Sequence, residues 1–290
     1  MATTIAGTHG KGKQSDPLFG PSGLCLDDDE NMCIADWGNH RIMRWKPNAS
    51  VGQVLAGGNG QGNELNQLNQ PTDVIIDSQN NSLIIADRWN RRVIRWIGGA
   101  SSTKQIIIPD IDCWGLAMHE DGSLYVSDCV KNEVRRLKKG ETQTTVVAGG
   151  NGQGKQLKQL DNPRYLFVDD QQNLYVSDTS NHRVMKWRKD AKEGIVVAGG
   201  NGPGPAMTQL SSPEGVMVDQ FGQIYVADCE NHRVMRWCEG EKEGIVVVGG
   251  HGQGQQAKQL NSPRGLSCDD KGSIYVADCV NNRIQKFDMN

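Results

Sequence analysis

A short apolar run that ends in aspartate occurs six times along the chain. The aspartates are Asp36, Asp87, Asp128, Asp178, Asp228 and Asp278, preceded by MCIA, LIIA, LYVS, LYVS, IYVA and IYVA. The intervals between them are 51, 41, 50, 50 and 50 residues. Self-similarity at such a period indicates a repeat architecture, in which each copy is one structural unit that buries its apolar face against its neighbours.

Each copy divides into four strand-like segments separated by turn residues. In the fifth copy these segments are 213–219, 224–228, 233–237 and 244–250, and they are rich in β-branched and aromatic residues. No segment has a convincing helical period. Four strands in a unit of roughly 40 to 50 residues are typical of a propeller blade. The sequence therefore predicts an all-β fold, a six-bladed β-propeller with four-stranded blades.

The last copy ends at Asn290, before a fourth strand. The segment 3–12 is similar to the fourth-strand segment 146–154, so we expect the N-terminal strand to complete the last blade and remove the exposed edges. The whole chain, 1–290, is then one propeller domain in which residues 1–12 supply that strand. The predicted blades are approximately 19–62, 68–109, 111–154, 160–204, 210–254 and 260–290 together with 1–12.

Composition narrows the class of protein. The net charge is −3, which disfavours a dedicated nucleic-acid binder, since such domains usually carry a basic stripe. No apolar run is long enough to cross a membrane, and the start of the chain lacks the basic and apolar regions of a secretory signal. We therefore expect a soluble, cytoplasmic monomer. The eight cysteines are too few and too irregular for a disulfide scaffold; Cys25 and Cys33 lie on adjoining strands, but no disulfide is expected.

The turn after each aspartate carries a family likeness. The segments 34–42 (IADWGNHRI), 176–184 (VSDTSNHRV) and 226–237 (VADCENHRVMRW) resemble the signature of NHL repeats, and the likeness covers the whole chain. The resemblance implies a six-bladed ring closed by an N-terminal strand. NHL propellers serve several activities, which include binding of RNA or protein within ubiquitin ligases, extracellular sensing and a zinc-dependent lyase. The fold alone does not choose among these.

The repeated residues are predicted to be structural. Five of the aspartates stand five residues before an arginine, a spacing that closes a charge-assisted hydrogen bond across the turn. Trp45, Trp96, Trp187 and Trp237 share one position in the third strand and are expected to pack between blades. His40, His182 and His232 lie on separate blades, too far apart to hold one metal ion. The glycines of GGNGQG (57–62) and its copies fit tight turns better than a phosphate-binding loop.

Function is expected where the repeat varies. The residue after each repeat proline should surround the mouth of the central channel, and these residues are Ser22, Thr72, Arg164, Glu214 and Arg264, with Trp114 at the aligned position of the third copy. Arg164 and Arg264 flank Glu214, either pairing with it or binding an acidic group. The lyase branch places zinc-binding histidines after this proline. No histidine occurs there, so the resemblance predicts no metal site, and the sequence indicates no catalytic residue or cofactor.

A second variable region lies in the turns of the first two copies. Trp37 and Trp89 stand outside the core tryptophan position, and Arg88 and Arg91 accompany them. Aromatic residues and arginine are enriched in protein-interface hot spots, and they also stack on unpaired bases. The predicted binding residues are therefore Trp37, Arg88, Trp89, Arg91, Trp114, Arg164, Glu214 and Arg264.

Three functions remain open at this point. The favoured one is a non-catalytic scaffold that binds a protein or peptide on the loop-rich face. The alternatives are binding of single-stranded RNA, as in some NHL-domain proteins, and a metal-dependent lyase or hydrolase in the central channel. An enzyme is the less favoured class, because no catalytic set accompanies the fold.

Overall fold

Consecutive strands of the chain pair into antiparallel sheets, one for each repeat. The computed structural model describes residues 2–7, 17–98 and 103–289. Within these ranges there are six four-stranded sheets, and strands that follow one another in sequence lie side by side in each of them. The predicted six-bladed β-propeller is confirmed.

The first strand of the chain belongs to the last sheet, and the next twelve form blades 1 to 3. These thirteen strands are β1 (Ala2–Gly7); β2 (Pro21–Leu26), β3 (Met32–Asp36), β4 (Arg41–Trp45) and β5 (Gln53–Gly57) of blade 1; β6 (Asp73–Asp77), β7 (Ser82–Asp87), β8 (Arg92–Ile97) and β9 (Thr103–Pro109) of blade 2; and β10 (Cys113–Met118), β11 (Leu124–Asp128), β12 (Glu133–Leu137) and β13 (Thr145–Gly149) of blade 3.

The remaining eleven strands form blades 4 to 6. They are β14 (Pro163–Val168), β15 (Leu174–Asp178), β16 (Arg183–Trp187) and β17 (Ile195–Gly199) of blade 4; β18 (Pro213–Val218), β19 (Ile224–Asp228), β20 (Arg233–Trp237) and β21 (Ile245–Gly249) of blade 5; and β22 (Pro263–Cys268), β23 (Ile274–Asp278) and β24 (Arg283–Phe287) of blade 6. The helical segments of the described residues are short 3₁₀ turns at Trp37–Asn39, Ser78–Asn80, Arg88–Asn90, Thr179–Asn181 and Cys229–Asn231, and none is long enough to span a membrane.

The N-terminal strand closes the ring as predicted. Strand β1 pairs antiparallel with β24, from Ala2 opposite Phe287 to Gly7 opposite Arg283. The inner strands β2, β6, β10, β14, β18 and β22 contact one another in turn, and β22 contacts β2. Closure by an N-terminal strand leaves no open sheet edge between the first and last blades. Residues 8–12 of the predicted closing segment lie outside the described residues.

Apolar side chains are buried between neighbouring blades. The cluster between blades 4 and 5 joins Val184 and Ala198 to Val226, Met235 and Trp237. The third-strand tryptophans Trp45, Trp96, Trp187 and Trp237 are all at most 7% exposed, which confirms their predicted place in the core. Large aromatic groups at this position bury much apolar area between adjacent blades.

In five of the six blades the repeated aspartate and arginine join the hairpin to the loop that precedes the blade. In blade 4, Arg183 Nε donates to Asp178 Oδ2 at 2.7 Å, and the same guanidinium donates to the backbone carbonyls of Lys155, Gln156 and Gln159. The backbone N–H of Asp161 donates to Asp178 Oδ1 at 2.6 Å. The same ion pair, at 2.7 Å, recurs as Asp36–Arg41, Asp87–Arg92, Asp228–Arg233 and Asp278–Arg283. The structural interpretation of this motif is confirmed.

The histidines of the repeat connect one blade to the next. His40, His182 and His232 each adopt a left-handed backbone with φ of 54°. The Nδ1 atom of His182 accepts a hydrogen bond from the backbone N–H of Ser212 in the following blade at 3.1 Å, and His40 and His232 accept equivalent bonds from Gln70 and Ser262. Asn132 and Asn282 make the same contact with Oδ1. The sequence excluded a shared metal but did not indicate this role.

The eight cysteines are free thiols. Cys25 and Cys33 face each other in register across β2 and β3, as their spacing predicted. They are not joined in a disulfide.

Candidate functional site

The turns between the second and third strands and the starts of the inner strands lie on one face of the ring, which we call the turn-rich face. The strand pairing places Asp178 opposite Pro163, and Cys113 opposite Asp128 at the equivalent point of blade 3. This register confirms that Trp114 occupies the position that follows the proline in the other blades. The variable residues at this position, and the turn residues above them, therefore surround the channel mouth.

Most of the residues at the mouth are buried. Ser22 and Thr72 are fully buried, Glu214 is 1% exposed and Trp114 is 4% exposed. Their polar groups bond inward: Thr72 Oγ1 donates to the Trp114 carbonyl at 2.7 Å. Arg164 and Arg264 are the members of this ring that reach solvent.

Two arginines stack on the Trp114 ring. The guanidinium carbon of Arg88 lies 4.3 Å from the ring centroid, and that of Arg164 lies 4.2 Å away. Arg164 also pairs with the buried carboxylate of Glu214. Four of the predicted residues, one from each of blades 2 to 5, are thus in continuous contact. They are Arg88, Trp114, Arg164 and Glu214. Cation–π stacking of this kind orients arginine side chains at the rim.

The mouth has an excess of positive charge. Burial raises the pKa of Glu214, and the nearby Arg164, Arg264 and Arg88 act against that rise. Three guanidinium groups therefore act on the buried carboxylate of Glu214, and Arg164 also acts on the exposed carboxylate of Glu230. Arg264 lies 6.0 Å from the Trp37 ring, and the buried Nε atoms of Arg164 and Arg264 have no hydrogen-bond partner in the described structure.

Arg91 and Trp89 are the exposed members of the predicted set. Arg91 contacts Asp112 at 3.6 Å and its side chain is 54% exposed, which places it beside the short connection into blade 3. Trp89 is 61% exposed. The predicted set therefore separates into an inner group around Trp114, the Arg264–Trp37 contact, and an outer pair in the blade 2 turn.

Exposed apolar residues at the turn position of Trp89, or beside it, form a second feature that the sequence did not reveal. Val130 and Val280 occupy the same turn position as Trp89 in blades 3 and 6, and they are 63% and 56% exposed. In blade 1 this position is Gly38, and the Phe19 ring, 57% exposed, fills the space where a side chain would stand. We call Phe19, Trp89, Val130 and Val280 the apolar arc. Three of these residues could have been found in the sequence, because Trp89, Val130 and Val280 each stand two residues after a repeat aspartate.

Three cysteines in the same turns are expected to be unreactive. Cys129, Cys229 and Cys279 directly follow the repeat aspartate, and burial raises the pKa of all three thiols, that of Cys229 to about 12. A thiol that stays protonated is a poor nucleophile and a poor metal ligand. Among residues 2–7, 17–98 and 103–289, no three His, Cys, Asp or Glu side chains converge in a way that could hold a metal ion.

Tyr165 closes the channel below the mouth. Its hydroxyl lies 2.7 Å from the Ser22 hydroxyl and donates to the Thr72 carbonyl at 3.2 Å, which joins blade 4 to blades 1 and 2 across the axis. Most other blades have glycine at this position, as at Gly23 and Gly215. Sequence reasoning missed Tyr165, although its departure from glycine was visible.

Comparisons with known families agree with this geometry. The model of the Teneurin NHL domain matches residues 97–248, and the NHL repeat model matches residues 260–287. Among curated proteins, mouse peptidyl-glycine alpha-amidating monooxygenase is 28% identical over 79 residues, which are 26% of this chain. The matched region is only 8% of that enzyme's length.

Solved structures share the fold at low identity. An auxiliary nutrient binding protein from Bacteroides thetaiotaomicron superposes with a TM-score of 0.74 at 15% identity, over 98% of this chain and 75% of that one. A gluconolactonase from Xanthomonas campestris superposes with a TM-score of 0.71 at 15% identity, over 100% of this chain and 89% of the enzyme. At such identities the likeness concerns the fold alone.

Proposed function

The chain belongs to the NHL-repeat family of β-propellers, and on that basis we propose that it is a non-catalytic scaffold that binds a protein or peptide on the turn-rich face. The observation that carries this proposal is the apolar arc. Single apolar residues on a surface are ordinary, whereas grouped ones mark interaction sites. Here Trp89, Val130 and Val280, each more than half exposed, occupy one turn position on blades 2, 3 and 6, and the equally exposed Phe19 lies beside that position in blade 1.

The other two blades carry polar residues at this turn position, so the turn-rich face differs from one side to the other. At the equivalent turn position, blade 4 carries Ser180 and blade 5 carries Glu230, and both are exposed and polar. The ring is therefore apolar on one side of the mouth and polar on the other. An asymmetric surface of this kind suits a partner that binds in one direction.

The charges of the mouth favour an acidic partner group. Arg88, Arg164 and Arg264 outnumber the carboxylates of Glu214 and Glu230, and arginine binds carboxylates in a planar, two-point geometry. A partner segment that combines apolar side chains with an acidic one would match both the arc and the mouth. Single-stranded RNA would match the stacked arginines, but the exposed valines at the rim offer it neither a charge nor a hydrogen bond.

The proposal is tested with variants that keep the fold. Affinity capture from the native source identifies a partner, and calorimetry then measures its Kd for the wild type, for Trp89→Ser and for Val130→Ser. Loss of an exposed aromatic hot spot is expected to weaken binding at least tenfold, or about 1.4 kcal/mol or more. The melting temperature should stay constant, because neither side chain is part of the core.

Phe221 supplies a matched control. It is 79% exposed and lies in the turn between β18 and β19, on the opposite face of the ring. Phe221→Ser removes a similar apolar area and should leave Kd unchanged. Equal affinity of the wild type and both arc variants would refute the assigned surface, and salt-dependent binding of random single-stranded RNA would favour the nucleic-acid alternative.

A further inference from the structure

The half of the central channel on the other side of Tyr165 contains a cavity of about 280 Å³. Inner strands of all six blades line it, with residues such as Leu24, Ile75, Met118, Phe167, Met217 and Leu266. These residues come later in each inner strand than the mouth residues, so the cavity faces away from the turn-rich face. We call it the lower channel. Its open end lies near Cys268, which ends β22 and is exposed.

One ionisable carboxyl group lies at the inner end of this apolar cavity. Asp73 lines the lower channel and is 6% exposed. It replaces the glycine that blades 1, 3, 5 and 6 carry as Gly23, Gly115, Gly215 and Gly265. A buried charge normally has a charged partner, because removing it from water is costly. Among the ion pairs of the described residues, none involves Asp73.

Backbone contacts hold the carboxyl group in a fixed orientation. The N–H groups of Val74 and Leu116 donate to its two oxygens at 2.9 Å each. A methyl group on Gly23 would lie 2.0 Å from Asp73 Oδ1, so the carboxyl fits only because blade 1 has no side chain there. Each oxygen retains a further lone pair for another donor.

Burial raises the pKa of Asp73 to about 7, and the two backbone donors act against that rise. The titratable groups that sense its charge from neighbouring strands are Tyr165 and Cys25, and the pKa of each is raised well above its usual value. Both groups are therefore neutral where Asp73 titrates. No cation of the described chain compensates Asp73 when it ionises.

We propose that the lower channel binds a small organic amine, whose ammonium group pairs with Asp73 and whose apolar body contacts the channel wall. A cation satisfies the isolated carboxylate, whereas an anion would be repelled by it and a neutral hydrocarbon would leave it without a partner. The volume is slightly below that of drug-sized sites, about 300 to 1,000 Å³, which restricts the ligand to a small one. This site is separate from the proposed partner surface.

The test compares two probes of the same shape. Binding of 2-phenylethylamine and of 2-phenylethanol to the full chain is measured by calorimetry at pH 6.0 and pH 8.5. The amine is a cation at both pH values, and a carboxyl group with a pKa of about 7 goes from roughly one-tenth to almost fully ionised. Amine affinity should therefore rise about tenfold with pH, while alcohol affinity stays constant. Amine binding that is absent, or that follows the alcohol at both pH values, would overturn the proposal.

Substitutions test separately how the charge of Asp73 and the volume of the cavity contribute to amine binding. Asp73→Asn should abolish the preference for the amine and its pH dependence. The control is Asp77→Asn, which removes a buried carboxylate that pairs with Arg95 at 3.0 Å outside the channel, and it should leave amine binding unchanged. If Asp73→Asn does not fold, Ala117→Phe tests the site instead, because its larger side chain is designed to fill the cavity while Asp73 is kept. This variant should bind neither probe, and an unchanged amine affinity would contradict the assigned site.

Discussion

The hydroxyl of Tyr165 lies 2.7 Å from the hydroxyl of Ser22, although 143 positions separate the two residues in sequence. Blade 4 and blade 1 stand on opposite sides of the ring, so this bond crosses the channel axis. Both residues are buried, and Tyr165 also donates to the Thr72 carbonyl. The contact divides the channel into the mouth above and the lower channel below.

Replacement of Tyr165 by phenylalanine should destabilise the protein by about 1 to 3 kcal/mol, because it leaves the Ser22 hydroxyl buried without its partner. Urea unfolding followed by circular dichroism measures the change. Tyr225→Phe is the control, since its hydroxyl contacts Asp219 and Gln223 in an outer turn where water can replace it. If both variants lose the same free energy of unfolding, the bond across the axis contributes no more to stability than the bonds in the outer turn.

The aspartates of blades 3 and 4 should respond differently to the same substitution. Asp178→Asn leaves the buried Arg183 without its carboxylate, which should cost about 3 kcal/mol. Asp128 forms no ion pair with an arginine of the described residues, and its Oδ1 accepts from the backbone N–H groups of Val130 and Lys131. Because asparagine keeps that acceptor, Asp128→Asn should cost less than about 1 kcal/mol. Midpoints of urea unfolding compare the two, and a reversed order would contradict the assigned roles.

Stability should fall in mild acid through the contact that His40 makes with the next blade. Burial lowers the pKa of His40 in the folded protein, an effect that the carboxylates of Asp87 and Asp36 partly offset. A histidine with a lowered pKa stabilises the fold fully above its unfolded value, near 6.5, and that stability is lost as the pH falls below it. The reason is structural, since a protonated Nδ1 cannot accept the Gln70 N–H.

The repeat itself supplies the variant for this test. Asn132 and Asn282 occupy the same position and accept the same bond without titrating. His40→Asn should therefore lose less unfolding free energy than the wild type between pH 7.5 and pH 5.5, by up to about 1 kcal/mol. Parallel losses in the two proteins would exclude His40 as a source of the pH dependence.

Charge at the mouth should control how the partner responds to salt. Arg264→Gln keeps the length and polarity of the side chain but removes a cation that forms no salt bridge among the described residues. Partner affinity measured between 50 and 500 mM NaCl should show a shallower salt dependence for this variant than for the wild type. An unchanged slope would mean that the partner does not reach the mouth.

The period of the apolar runs determined most of the fold. Six copies of one unit, each with four strand-like segments and turn residues between them, specify six blades because every contact within a blade is local. The incomplete last copy and the matching N-terminal segment likewise predicted the pairing of β1 with β24. Asp178 and Arg183 could be paired from their spacing, since a short turn fixes the distance between them.

Only the tertiary structure decided which variable residues meet. Tyr165 and Ser22 belong to blades that no local pattern relates, and Asp73 shares a cavity with five other blades because the ring brings all inner strands to one axis. Phe19 fills the space above Gly38, so the apolar arc includes a residue outside the repeat position. Repetition makes blade geometry readable from sequence, whereas contacts across the axis depend on ring closure, which joins positions that lie far apart along the chain.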